Sequence, residues 1–220
     1  WCSTVLRSLP LEGADVTAAL REALRRLATR EDLFHPTMTA LAETRAARWP
    51  EAFHMALVVG GPPPSYLPRP IELHAHDAVR YVSDMLAWVH QAIASERELV
   101  TSLFAPLAAP ATTPLVASAR SVEPPVLDVL IHRMLGRSLA GCARLLRMRV
   151  QQTLRAEQQA LCLLRLYFVL SFYRDTLRHT LNETSSPLCK TVDELYHMAD
   201  VAFVHALQQL HTRLVVPEQP

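Results

Sequence analysis

The chain has 220 residues, of which 22 are basic, 21 acidic and half hydrophobic. A near-zero balance counts against the broad, clustered positive surface that nucleic acid requires, though it leaves room for a local basic patch. With 5 glycines, long Ala-, Leu- and Arg-rich stretches and little Val-Ile-Thr alternation, the composition is that of an all-α protein of one domain or two small ones.

Taken in order, residues 15–30 predict a first helix. Val16, Leu20, Leu24 and Leu27 share one face, Asp15 is placed to cap it, and Arg21, Arg25 and Arg26 fall on the wet side. Pro36 suits the first position of a second helix reaching about Arg48, and Pro50 that of a third. Gly60 and Gly61 stop the third helix, and Pro62, Pro63 and Pro64 follow in a stiff linker.

The clearest element is a helix over 78–104, capped by Asp77. Val79, Val82, Leu86, Val89, Ile93, Glu96, Val100 and Leu103 recur at alternating spacings of three and four, and seven of these eight are apolar. Such a helix is about 40 Å long, and Pro106 is expected to end it. A loop rich in Ala, Pro, Thr and Ser follows.

Pro124 and Pro125 open a long helical region carrying Leu127, Leu130, Met134, Leu139, Leu145 and Leu146. A bend is expected at Gly136 or Gly141, each weakening the helix by roughly 1 kcal/mol relative to Ala. Residues 150–181 read as continuous helix with Leu154, Leu161, Leu164, Phe168 and Phe172 as the apolar face. After a turn at 184–187, a last helix starts near Pro187 or Thr191 with Val192, Leu195, Ala199, Ala202, Ala206 and Leu210 in period, and the tail from Pro217 is expected to fray. No fixed-period repeat is visible.

The expected architecture is elongated antiparallel helical bundles of the multisubunit-tether rod type. It divides into an N-terminal helical segment 1–61, a Pro-rich linker 62–76, and a bundle 77–216 with a loop at 105–123. A chain opening on Trp1 reads as a piece of a longer protein. No apolar run reaches the ~18 residues of a membrane span; the nearest, 161–173, is interrupted by Arg165.

Cys2, Cys142, Cys162 and Cys189 lie far apart without a CxxC pair, which suggests neither zinc nor a dithiol and fits a reduced, cytosolic protein. His74, His76 and Asp77 form an HxHD string. On a strand the two histidines would point to one side and could serve a metal-dependent hydrolase, but a linker entering a helix, with Asp77 as cap, is the favoured reading. Ser138 sits in GxSxxG rather than the GxSxG elbow, with no strand before it, and reads as a small residue in helix packing. No phosphate-cradling motif is present. Asn182-Glu183-Thr184 matches a glycosylation acceptor by chance. Arg144, Arg147, Arg149 and Arg155 form a basic stretch that could meet anionic lipid, the simpler reading being a solvated face paired with Glu157 and other acids. Tyr81 and Trp88, one heptad apart, are expected in the core or at a helix contact, where aromatics also make binding hot spots.

Residues 69–77 read Arg-Pro-Ile-Glu-Leu-His-Ala-His-Asp, and 78–98 continue Ala-Val-Arg-Tyr-Val-Ser-Asp-Met-Leu-Ala-Trp-Val-His-Gln-Ala-Ile-Ala-Ser-Glu-Arg-Glu. This stretch strongly resembles the family of the sixth subunit of the conserved oligomeric Golgi complex. Leu-Ser-Phe-Tyr-Arg-Asp-Thr-Leu at 170–177 and Thr-Val-Asp-Glu-Leu-Tyr-His-Met at 191–198 are similar to two later family segments, in the same order. Ala78 stands where the family usually has Pro, and Ser83 where it has Gly. The Ala/Pro-rich 105–125 replaces a more charged spacer.

The resemblance implies a structural, non-enzymatic subunit of a vesicle-tethering complex in retrograde intra-Golgi transport, peripheral on the cytoplasmic face of the Golgi membrane. Implied partners are the fifth, seventh and eighth subunits, SNAREs and Rab GTPases, with no cofactor. The signature positions it nominates as an interface are Arg69, Pro70, Ile71, Glu72, His76, Asp77, Arg80, Tyr81, Asp84, Trp88 and His90. A generic helical adaptor outside the Golgi is the other non-enzymatic reading.

Overall fold

A computed structural model of the chain describes residues 2–11, 13, 16–61, 68–108, 124–182 and 186–215. Asp15, the triple proline of the linker, residues 109–123 of the loop, Glu183 and Thr184 of the glycosylation match, and the tail from Pro217 lie outside them. Among the described residues there are eight α-helices, one turn of 3₁₀ helix and no strand. The chain is all-α, as its composition predicts. It divides into two compact units, residues 1–51 with 90–141 and residues 52–89 with 142–220.

The first unit holds α1 (Cys2–Ser8), α2 (Ala18–Leu27), the start of α3 (Glu31–Val58), the end of α4 (Ala78–Ala108) and α5 (Pro124–Ser138). Thr17 caps α2, its Oγ1 accepting from the Leu20 amide at 3.3 Å. Val16, Leu20 and Leu24 are buried as their spacing predicts.

The expected helix starts at Pro36 and Pro50 are corrected: both prolines lie inside α3. A proline removes one backbone donor and crowds the carbonyl four residues back, which bends a helix without ending it when packing on either side holds it. Here Phe34, Met38, Leu41, Ala42 and Trp49 are buried in one row through this unit. Gly141 lies against the site where Pro50 withholds its donor; a Cβ on Gly141 would sit 2.5 Å from the Ala46 carbonyl oxygen and 2.5 Å from Pro50 Cγ. That close approach explains glycine there. It falls in the turn that separates α5 from α6, where the sequence predicts a bend.

The α4 stripe is buried from Val82 to Leu103, but the helix runs to Ala108 and contains Pro106. The one polar member of the stripe, Glu96, is also buried. Arg45 Nε donates to its two carboxylate oxygens at 2.7 and 2.6 Å, and Trp49 Nε1 donates to Oε2 at 3.0 Å. Arg45 also reaches the carbonyls of Pro10 and Leu11, tying the connection after α1 to α3. Ser138 is fully buried in this unit, which fits a packing residue. Its hydroxyl finds no hydrogen-bond partner among the described residues.

The second unit holds the end of α3, the 3₁₀ turn Ile71–His74, the start of α4, α6 (Cys142–Ala156), α7 (Ala160–Leu181) and α8 (Pro187–Val215). Gly60 ends α3 at φ +84°, with a Cβ excluded by the Pro68 carbonyl 2.5 Å away. α8 packs on both α6 and α7. Tyr167 and Tyr196 hydroxyls meet at 2.6 Å, Arg174 stacks on the Tyr196 ring at 4.1 Å, and Arg178 donates to Asp193 at 2.7 Å. Higher numbers on α7 meet lower ones on α8, so the pair is antiparallel.

Two expectations fail in this unit. The helix predicted over 150–181 breaks at 157–159, because Glu157 Oε1 accepts from the Gln158 and Gln159 amides, each at 2.8 Å. A side chain serving as cap from before the helix has no residue-type signature as strong as Ser or Asp. The face predicted for α7 is also reversed. Leu163, Leu166, Leu170, Leu177 and Leu181 are buried, whereas Leu161, Phe168 and Phe172 are 61%, 62% and 64% exposed. α8 begins at Pro187, one of the two expected starts, with Ser186 Oγ accepting from the Cys189 amide at 3.2 Å.

Candidate functional site

The family-signature segment folds as the 3₁₀ turn and the start of α4, with nothing extended about it. Asp77 caps α4, Oδ1 accepting from the Arg80 amide at 3.1 Å. His74 Nδ1 lies 2.8 Å from Asp84 Oδ2, and His76 Nδ1 lies 3.1 Å from the Leu73 carbonyl. The three residues of the HxHD string therefore face three separate partners, and the strand geometry that a paired-histidine metal site needs is not what this segment adopts. No group of three His, Cys, Asp or Glu side chains suited to a metal gathers among the described residues.

The other nominated residues divide by role. Ile71 and Tyr81 are buried in the second unit, and Trp88 stacks on Phe53 with ring centroids 4.8 Å apart. Arg80 Nε stands 3.8 Å from Asp84. Pro70 is half-buried, and Arg69, His76, Asp77, Arg80 and His90 are exposed. His90 belongs to the first unit, the rest to the second. Tyr81 thus lies in the core, and the half-buried Trp88 makes a helix contact through Phe53.

Sequence reasoning missed what this segment faces. Glu72, His76 and Tyr81 line a cavity of about 440 Å³ whose other wall is Arg149, Gln152 and Glu157. Arg149 pairs with Glu72 at 2.7 Å, and burial pushes the Tyr81 hydroxyl pKa up. The backbone amides held by Glu157, that of Gln159 first, lower its carboxyl pKa. Arg147 pairs with Glu194. The basic stretch is thus partly paired, but with Glu72 and Glu194 rather than Glu157. Chain-distant partners of this kind leave no local spacing to find. Cys142 and Cys162 are free thiols.

Apolar surface remains open along α7, and along α8 at Val201, Val204, Leu207, Leu210 and Leu214, all at least 45% exposed. No helix among the described residues is long and apolar enough to cross a membrane. Helices packed through apolar seams, with apolar faces left open on α7 and α8, define an all-α helical-bundle protein.

Comparison with known families identifies the family of these helices. Residues 1–219 match the family described as conserved oligomeric Golgi complex subunit 6, C-terminal, and the chain belongs to this family. It is 31% identical to conserved oligomeric Golgi complex subunit 6 of Bos taurus over 215 residues, which are 98% of this chain and 30% of that protein. The Homo sapiens protein of the same name gives 31% over 215 residues, again 98% of this chain and 30% of the relative. That of Cryptococcus neoformans gives 32% over 208 residues, 94% of this chain and 27% of the relative. The chain thus spans about 30% of the length of the curated relatives it matches. No solved structure matches it.

Proposed function

We propose that this chain is a structural, non-catalytic part of a Golgi vesicle-tethering subunit, and that its work is adhesion by helix packing. The observation that carries the reading is the open apolar row Leu161, Phe168 and Phe172 on α7, more than 60% exposed at each position, in a chain whose family is a subunit of an assembled complex. Three large apolar side chains at helical spacing form the anchor set that a partner helix covers. The finer reading places the protein peripherally on the cytoplasmic face of the Golgi membrane in retrograde intra-Golgi transport. Its partners there are the fifth, seventh and eighth subunits, SNAREs and Rab GTPases. The exposed signature residues Arg69, His76, Asp77, Arg80 and His90 are the polar contacts nominated for them.

Affinity purification of the tagged, intact protein from its own cells tests the reading. Other subunits of the complex are expected in the eluate, with their recovery reduced when Phe168 and Phe172 are both replaced by Ser. An eluate free of Golgi-complex subunits rejects the tethering role. Unchanged recovery with the double variant moves the adhesive surface away from α7.

A further inference from the structure

We propose that the outer face of α6 is a docking groove for an acidic, amphipathic helix of a partner protein. Arg144, Met148, Gln151 and Arg155 recur at spacings of four, three and four, so they form one face of α6. With Arg147, Gln152 and Ala156 they line an open groove of about 570 Å³, beside α8, where Gln151 Nε2 donates to Met198 Sδ at 3.4 Å. Met148, in the middle, is 55% exposed. Methionine is flexible and polarisable, and suits a surface that receives apolar side chains of varied shape.

Charge selects the occupant. Arg147 and Arg149 are neutralised by Glu194 and Glu72. Arg144 and Arg155 are exposed, and among the described residues neither has an acidic partner within ion-pair distance. Two unmatched guanidinium groups therefore bracket the exposed Met148, three helical turns or about 16 Å apart along the axis. The complement is a helix with two carboxylates three turns apart and apolar side chains between them, seated by charge-assisted hydrogen bonds at its ends. Gln152 and Ala156 line both this groove and the cavity beside Glu72, His76 and Tyr81, so the groove borders the family-signature segment.

The inference rests on the adhesive reading above and names the chemistry of one partner. Its test uses the intact protein and a fluorescein-labelled synthetic helix carrying Glu at two positions three turns apart, with Leu at the intervening positions of the same face. Fluorescence anisotropy is expected to show saturable binding, weakened at least tenfold in the Arg144→Glu/Arg155→Glu variant. The same peptide with Lys in place of Glu is expected to bind that variant and not the parent. Circular dichroism and thermal melting of the variant check that it folds as the parent does, and the gain of Lys-peptide binding is itself a result no unfolded variant would give. Absent binding of the Glu peptide to the parent, or equal binding by the double variant, overturns the groove. Co-sedimentation with phosphatidylserine vesicles that is lost in the double variant, without peptide binding, assigns the arginines to a membrane and overturns it as well. Recovery of other complex subunits with the double variant is expected to persist. A failed peptide experiment with those subunits present thus rejects the groove alone, while their absence from the parent's eluate rejects the tethering role.

Discussion

Arg45 of α3 and Glu96 of α4 form an ion pair in which both side chains are almost wholly shielded from water, at 1% and 0% exposure. Removing two charges from water costs several kcal/mol each, and only close geometry with further hydrogen bonds offsets it. The carboxylate here holds the guanidinium and the Trp49 indole together. Truncation to Glu96→Ala leaves Arg45 buried and unpaired, and the expected loss is about 3–5 kcal/mol. The double variant Arg45→Met/Glu96→Leu should recover most of it, with about 1–2 kcal/mol remaining for an indole N–H without its acceptor. Urea denaturation of the three proteins measures the difference.

Gly141 abuts the Ala46 carbonyl and the Pro50 ring. Gly141→Ala puts a methyl group 2.5 Å from both, and a loss of about 1–3 kcal/mol is expected from overpacking. Pro50→Ala should not rescue it, because the carbonyl oxygen stays where it is. Melting temperatures of the single and double variants decide the point.

Gly60 and Gly13 both have positive φ, at +84° and +62°, but only Gly60 is crowded, Gly13 having nothing within 4 Å of a built Cβ. Gly13→Ala should therefore cost about 1–2 kcal/mol, the left-handed strain alone. Gly60→Ala should cost more, since the Pro68 carbonyl must also shift. Equal costs by denaturant titration would show that the contact with Pro68 contributes nothing.

The two sides of α7 give opposite expectations. Phe168→Ser/Phe172→Ser changes solvent-facing groups and should leave stability within about 0.5 kcal/mol per site. Leu170→Ala empties a buried position and should cost about 2–5 kcal/mol. Parallel denaturation curves read both.

Burial, then a hydrogen bond and negative charge from Glu157, push the Cys162 thiol up to about 11. The thiolate is the nucleophile, so at pH 8 alkylation should be slow compared with an ordinary thiol and should rise as pH approaches that value. Glu157→Gln removes the opposing charge and lowers the thiol pKa, so labelling of Cys162 at pH 8 should accelerate. Cys142, pushed by burial to about 12, should stay slow in both proteins. Mass-spectrometric labelling rates follow each thiol separately.

How much of this was legible differs from element to element. The α4 stripe reads directly, because seven apolar residues at alternating threes and fours admit only one buried side. The stop at Gly60 reads as well, since glycine in the left-handed region is the usual helix terminator. α7 did not. It carries two apolar stripes, one through Leu163, Leu166 and Leu170 and one through Leu161, Phe168 and Phe172, and periodicity detects both without choosing the one that meets α8. The prolines of α3 misled for a related reason: the cost of a proline inside a helix is local, and the packing that offsets it comes from residues far along the chain. The signature segment was recognisable as a string of residues, while the wall of α6 opposite it was not.

Read as residues alone, the chain is helical, α4 buries a long seam, and residues 69–98 carry a family's mark. These follow from backbone propensity, side-chain period and residue identity, all of which are local. It took the packed helices to show that Glu96 is a buried partner of Arg45, that Phe168 and Phe172 face outward, and that Arg144 and Arg155 stand unmatched beside Met148. Each depends on which distant side chain arrives opposite, and that is set by how whole helices pack.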